Sequence, residues 1–440
     1  MADVFDPVEV QPWTEIQTWH EQLLQEQMAY VLSRSDFYRA KFGAAGERVT
    51  SLSDLSDLPF TTKDEIRESL LARPPLGLHI AAAEDDIVQI QSSSGTTGMP
   101  TFVAATARDI QTWNSMGARV FYANGFRPKD WVMHAYAMGR GFVGGLVNIE
   151  HLQHLGCCII PLGAESGTER LLRAIDHLKP VALCATPSMV SHLGAQSMEV
   201  LGKPATDLSI RKISVGGEPG GGEEQIRGAM ESLWNADVRD MMGGADFGST
   251  YWAECDAKDG MHLCSQGALH VEIVNPDTLE SLPIVEGTTG ELVYTTLARE
   301  ATPLIRYRMG DIVTVVGSGC SCGRTGYRIK AHGRADDMLI VRGVNVFPAA
   351  IKEVVMQFAP RVTGYLKIDV DFVGHSTYEP LSLRVESSSE SSAGDAALAS
   401  SIEAAIRDAL TVKASVVLVP LGSIERPGAQ KEKLIERVTR

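Results

Sequence analysis

Apolar positions recur at helical spacing from the start of the chain, at Trp13, Ile16, Trp19, Leu23, Leu24, Met28, Val31 and Leu32, which predicts a core-facing helix within residues 13–43. In the segment LSDLPFTTKDEIRESLL, Thr62 followed by Asp64 and Glu65 has the character of a capped helix start. At residue 87 the pattern changes. Ile87-Val88-Gln89-Ile90 is β-branched and reads as a strand, TFVAAT as a second, and residues 107–124 as a helix ended by Gly125. Strand and helix segments then alternate: WVMHAYAM, a glycine-interrupted helix over 141–154, CCIIPL, a helix over 167–177, VALCAT, a helix near 189–196, and KISVGG. Such alternation predicts a parallel sheet covered by helices on both faces. From about Ala268 to Val316 the segments shorten to ALHVEIVN, GELVYTT and DIVTVV, separated by turns, and predict an antiparallel subdomain.

The rest of the chain forms a smaller unit. It contains a helix after Pro348, strands around 364–373 and 381–385, the polar stretch ESSSESSAGDAALASS as an exposed segment or helix entry, a helix over 402–410, the strand ASVVLVPL and a basic tail. The expected fold class is therefore α/β: a large N-terminal domain of mostly parallel sheet with helices and an antiparallel subdomain, followed by a small α+β C-terminal domain.

Composition narrows what such a chain can do. At 440 residues it exceeds the size at which a single core stops growing. A formal charge of −15 leaves no basic footprint for nucleic acid and disfavours an anionic membrane surface. No apolar run approaches the ~20 residues of a membrane span, and the acidic N-terminus has no apolar signal core, so a cytoplasmic protein is expected. Seven cysteines there read as thiols or metal ligands rather than disulfides.

The densest candidate for chemistry is QSSSGTTGMPT, residues 91–101. Gly95 and Gly98 allow positive φ and close approach to a ligand, while main-chain N–H groups and the hydroxyls of Ser93, Ser94, Thr96 and Thr97 can donate to phosphate oxygens. A Ser/Gly-rich surface turn has the same composition, and no Walker Gly-Lys-Ser/Thr follows. Three glycine-rich loops also follow strands: residues 136–141, 216–222 and 242–246. In a parallel sheet these loops would surround one crevice at the carboxyl ends of the strands. Separately, Cys320-Ser321-Cys322 and the pair Cys255 and His262 present two turns of soft ligands, enough for a tetrahedral Cys₃His zinc site, with Cys264 as a substitute ligand or free buried thiols as the other reading. Cys157, Cys158 and Cys184 lie in apolar strand patterns and read as core.

In this order the motifs resemble the acyl-adenylating superfamily, and most closely its phenylacetate-CoA ligase-like branch, over nearly the whole chain. QSSSGTTGMPT is similar to the triphosphate loop. Gly217-Glu218-Pro219 is similar to the adenine-contacting loop, Tyr307-Arg308-Met309-Gly310-Asp311 to the motif whose aspartate binds the ribose hydroxyls, and GRADDMLIVRGVNVFP to the hinge motif. The resemblance implies ATP, Mg²⁺ and CoA as cofactors, an aryl acid of the anthranilate, benzoate or phenylacetate kind as substrate, and no nucleic-acid or membrane partner. It further implies Arg334 near ribose and phosphate, Asp336 as hinge between domains 1–335 and 336–440, and Lys431 as the catalytic lysine, with Lys433 as the other candidate. The acidic Mg²⁺ motif aligns with residues 242–246 or 247–251; the first register supplies Asp246, a hard oxygen ligand. That motif departs from the family by lacking its hydroxyl residue and glutamate, and Met99 stands where many relatives have lysine. An acid pocket is expected between Tyr136, residues 140–145 including Gly141 and Phe142, and Gly243, Gly244, Ala245 and Asp246. An enzyme loading an acyl carrier protein and a nucleotide-binding regulator without catalysis are the alternatives. A homodimer is the working expectation for assembly, and zinc for the cysteine cluster.

Overall fold

The computed structural model describes residues 3–92, 101–139, 143–342, 344–372, 374–389, 395–426 and 432–438. Among these, twelve strands form one sheet, in the order Ser281–Leu282, Leu269–Val274, Thr289–Thr296, Tyr307–Ser318, Tyr327–Arg334, Met261–Leu263, Trp252–Glu254, Asp237–Met242, Lys212–Gly216, Ala182–Ala185, Trp131–His134 and Cys158–Pro161. The last five are mutually parallel, as the strand and helix alternation predicts. The others are antiparallel. The expected antiparallel subdomain is thus continuous with the parallel sheet: Met242 pairs with Trp252 across the join. Local patterning has no access to this, because edge-to-edge pairing of two sheets is a non-local choice.

Helices cover the parallel half through apolar faces. Helices Pro187–Leu201 and Glu224–Trp234 meet at Gly194, where a Cβ would lie 2.5 Å from Leu233. The missing side chain lets Trp234 sink fully into the core and give its indole N–H to the Val190 carbonyl at 2.9 Å. Burying an aromatic of that size stabilises by ~2–3 kcal/mol. The helix expected within 13–43 is two, Trp13–Arg34 and Asp36–Gly46. Ser35 breaks it with an extended backbone, and its side chain accepts from the Tyr38 N–H as the second helix's cap. The strand expected over 131–138 ends at His134, and the helix near 189–196 runs longer than expected.

The C-terminal region is a separate sheet, Ala414–Val419, Leu381–Ser387, Val362–Val370 and Ile435–Arg437 in that order, with helices Pro348–Met356 and Ala396–Leu410 packed against it. Its core is almost entirely Leu, Ile and Val. No described helix is long and apolar enough to cross a membrane.

Candidate active site

The site lies where strands end. After Lys212–Gly216, Gly217 and Gly220 take φ values of +85° and +113°, which L side chains rarely adopt. Gly221 is demanded by space as well: a Cβ there would lie 2.4 Å from Oδ1 of Asp240 on the neighbouring strand. The loop therefore lies directly on the Asp240 carboxylate, whose pKa burial and the Glu254 charge push well above the usual range. Glu254 itself pairs with Arg227 at 2.5 Å inside the protein. Within the loop, Glu218 accepts from the Ser188 hydroxyl at 2.9 Å and the Ser188 N–H at 3.2 Å. Its Oε1 also accepts from the main-chain N–H of Glu432, at 2.6 Å. Glu432 follows Lys431 in sequence; Lys431 lies outside the described residues, and Lys433 uses its carbonyl to accept from Lys367 Nζ at 2.6 Å.

After Asp237–Met242 comes the second loop. Asp246 stands on a single 3₁₀ turn, Ala245–Phe247, half-buried. Burial raises its carboxyl pKa, against the pull of Lys63, Arg299 and Arg334. The positive charges of three side chains thus act on one carboxylate. Lys63 opens helix Lys63–Ala72, which the Thr62 and Glu65 capping box fixes. Arg299 lies over Trp113 with its guanidinium carbon 4.4 Å from the ring centre and donates to the Asp246 carbonyl at 3.3 Å. Sequence reasoning missed both cations: Lys63 was visible only as part of a helix cap, and Arg299 stands in a stretch without a motif.

The glycines of this loop have a backbone reason. A Cβ on Gly243 would lie 1.9 Å from the Ser249 carbonyl oxygen, and one on Gly244 2.5 Å from Met309 Cε. A side chain at either position would collide with the protein itself. Gly248, φ +90°, presses on Trp113 in the same way, and Ser249 is held at φ +79° with its hydroxyl donating to Asn148 at 2.7 Å. Tyr136 is 4% exposed, packed near His134. The backbone N–H groups of Met138 and Gly139 in the adjoining loop are held by the Glu165 carboxylate at 2.8–3.0 Å. Gly141 and Phe142 lie outside the described residues, as do Ser93, Ser94, Gly95, Thr96, Thr97 and Gly98. The latter run between two antiparallel strands, Ile87–Ser92 and Phe102–Thr106, paired up to Ser92 and Phe102.

Asp311 is on strand Tyr307–Ser318 opposite Arg334 in the ladder. Gly310 before it has φ +87°, and its carbonyl accepts from the Ala335 N–H at 2.7 Å, which fixes the crossing of the two strands. Arg334 donates from Nε to Asp336 Oδ1 at 2.7 Å and from Nη2 to Oδ2 at 3.1 Å. The residue expected to bind ribose and phosphate and the residue expected to act as hinge are therefore partners in one two-point ion pair. A guanidinium held in this way keeps its plane fixed.

The cysteine turns meet on the antiparallel side. Cys255, His262, Cys320 and Cys322 offer ligand atoms all within 4.8 Å of one another. Cys255 Sγ lies 3.6 Å from Cys320 Sγ, and Cys322 Sγ 3.5 Å from His262 Nε2. Cys264 stands apart, fully buried, its thiol directed at the His262 carbonyl at 3.6 Å.

Family models match in two blocks: an AMP-binding enzyme over residues 22–297 and an AMP-binding enzyme C-terminal domain over residues 343–438. The phenylacetate-coenzyme A ligase of Aromatoleum evansii is 32% identical over 98% of this chain and 96% of its own length. That of Thermus thermophilus is 34% identical over 86% of this chain and 83% of its own. Among solved structures, a 2-hydroxyisobutyryl-CoA ligase in its postadenylation state, in complex with R3-HIB-AMP, superposes with a TM-score of 0.89 at 27% identity, over 98% of this chain and 91% of that one. The same ligase in its thioesterification state, with 2-HIB-AMP and CoA, over the same shares, reaches 0.70.

Proposed function

Because the chain belongs to the AMP-binding enzyme family in both of its regions, we infer that it is an ATP-dependent acid:CoA ligase acting on an aromatic carboxylic acid. The observation that carries this reading is the match to a phenylacetate-coenzyme A ligase over 98% of this chain and 96% of that one. In the first half-reaction the acid's carboxylate oxygen attacks the α-phosphorus of ATP and pyrophosphate leaves, giving acyl-AMP. In the second, the CoA thiol sulfur attacks the acyl carbon, its proton is lost, and AMP leaves with the C–O bond electrons.

Named residues have roles that fit their surroundings. Asp311 accepts from the ribose diol, with Arg334 beside it in the ladder. Asp240, behind the Gly217-Glu218-Pro219 loop, is an acceptor for an exocyclic amino group of adenine. Asp246 fits Mg²⁺ as the single carboxylate that such an ion takes alongside substrate phosphates, and the ion would neutralise charge on the triphosphate. Lys63 and Arg299 supply the positive charge that Met99 does not. Developing negative charge on a transferred group is stabilised best by such preorganised cations in a site shielded from water. Lys431 is the lysine for the α-phosphate. Domains 1–335 and 336–440 turn about Asp336, and the closer fit to the postadenylation neighbour supports reading this structure as the arrangement around acyl-adenylate.

The four-residue cluster is proposed to hold a structural zinc ion. With Zn–S near 2.3 Å the edge of a tetrahedron is roughly 3.8 Å, close to the 3.5 and 3.6 Å separations between its ligand atoms. Closing Cys255–His262 onto Cys320–Cys322 would staple the antiparallel half of the sheet.

The test is acid-dependent pyrophosphate release with Mg·ATP across benzoate, anthranilate, phenylacetate and fatty acids, with and without CoA. Release with an aryl acid that runs on to a thioester when CoA is added is the expected result, and Asp311→Ala lowers it by roughly 10²-fold or more. Release without any thioester would move the acceptor to a carrier-protein thiol. No release with any acid would sink the enzyme reading and leave a nucleotide-binding protein.

A further inference from the structure

We propose that Glu353 is a positioning residue for acyl-adenylate formation: from the C-terminal region it caps a helix of the large region, and so holds the tail against Glu218. The proposal rests on the ligase reading above.

Helix Glu224–Trp234 has no cap of its own. Glu223 occupies the cap position without a side-chain hydrogen bond to the helix, and its carboxylate is turned instead to Lys330 at 3.0 Å. The first-turn N–H groups of Gln225 and Ile226 donate to the two carboxylate oxygens of Glu353, at 2.8 and 3.3 Å. Glu353 belongs to helix Pro348–Met356, more than a hundred residues further along the chain. A helix leaves its first N–H groups unsatisfied and carries a partial positive charge at that end, so a carboxylate is the complementary partner on both counts.

The residue beside it does the matching task on the other side. Lys352 Nζ lies 2.5 Å from the Glu432 carboxylate, and both side chains are mostly buried. Glu432 then gives its main-chain N–H to Glu218, whose carboxylate Ser188 holds in place. Two consecutive residues of one helix thus span the seam: Glu353 fixes the helix to the large region, and Lys352 fixes the tail to the helix. Among the described residues these bonds run between a carboxylate and an N–H group or a cation. Such groups are well hydrated when separated, so the polar part of the seam opens at low cost, and opening also uncovers Met356, which packs against the core of the parallel half. A helix cap is worth ~1 kcal/mol, about fivefold in a population. That magnitude biases an equilibrium without locking it.

The two half-reactions separate this role from a merely structural one. Acid-dependent ATP–pyrophosphate exchange reports adenylation, and thioester formation from chemically prepared acyl-AMP and CoA reports the second step. Glu353→Ala is expected to lower exchange about fivefold while thioester formation from acyl-AMP stays level or rises. Glu353→Gln keeps an acceptor oxygen and is expected to restore most of the exchange. Gln225→Pro removes one donor in the first turn, where the N–H has no partner within the helix, and is expected to lower exchange about twofold. Equal losses in both half-reactions, or exchange at the parent level in Glu353→Ala, would overturn the proposal. Limited proteolysis in the 336–345 segment provides a readout without chemistry: faster cutting in Glu353→Ala than in the parent is expected, and identical cutting counts against the cap. Absence of exchange in the parent protein would refute the ligase reading instead, and is seen before any variant is compared.

Discussion

The large sheet region and the C-terminal region have different interiors. The C-terminal core is aliphatic, and among its described residues the buried polar groups are Glu386 and Ser387. Glu386 is fully served, by Arg426, Thr363 and the Ile424 N–H. The large region instead buries histidines, arginines and acids, including His20, His79, His134, His151, Arg299 and Glu254. Burying such groups is unfavourable unless they are paired. The contrast teaches a division of labour. The region that carries the glycine-rich loops tolerates a costly polar interior, while the region expected to turn has an aliphatic interior and meets its neighbour through the polar groups of Glu353 and Glu432 on its rim.

Acid breaks this symmetry most strongly. Burial depresses His20, His79 and His134 to about 4 and His151 to about 3. For a base whose folded pKa is lowered, the stabilisation is present above the unfolded value near 6.5 and is lost as pH falls toward the folded values, because the unfolded chain takes up protons that the folded one refuses. Each histidine removes ~1.4 kcal/mol per pH unit in that window, roughly 5 kcal/mol per unit for four. All six tryptophans precede residue 253, whereas helix and strand occur in both regions. Tryptophan fluorescence should therefore report unfolding between pH 6 and 4 at a higher pH than the last loss of far-ultraviolet circular dichroism. Coincident transitions would show that the two regions do not differ in this way.

Metal removal comes next. Cys322→Ser is expected to abolish one bound zinc per chain and to lower the melting temperature by ~10 °C, since structural zinc binding contributes directly to folding. A chelator should reproduce the shift in the parent and add nothing in the variant; a variant that melts like the parent would leave the cluster without a structural task. A cavity in the other region is smaller in effect. Ile402→Ala, at a fully buried position, should cost ~3 kcal/mol and appear in circular dichroism while tryptophan fluorescence holds. Smallest is Lys352→Met, which frees Glu432 and is expected to cost ~1 kcal/mol at the seam. Pyrophosphate exchange should fall severalfold with the melting temperature unchanged; an unchanged rate would mean that the tail is held without this pair.

What the chain reveals about itself depends on distance along it. The capped start at Thr62 and Glu65 and the helix end at Gly125, φ +90°, were legible because each is decided within a few residues. The four soft ligands were legible as a set because two short turns supply them, but the exclusion of Cys264 needed its direction in space. The join of Met242 to Trp252 and the cap that Glu353 places on Gln225 and Ile226 could not be read from local pattern. Both depend on which surfaces meet after the elements have formed. The same holds for Lys63 and Arg299, which become a pair of cations only through Asp246.

The order of strands in the large sheet also dictates an order of manufacture. Met261–Leu263 lies in the middle of the sheet, yet one of its two neighbours is Tyr327–Arg334, made some sixty residues later. At a synthesis rate of ~5–20 residues per second, the nascent chain carries that strand with an open edge, and Cys255 and His262 without Cys320 and Cys322, for roughly three to twelve seconds. An open edge is a template for pairing with another chain. The interval before residue 334 leaves the ribosome is thus a period in which this protein is exposed to aggregation, and a slow codon run just upstream of that strand would lengthen it.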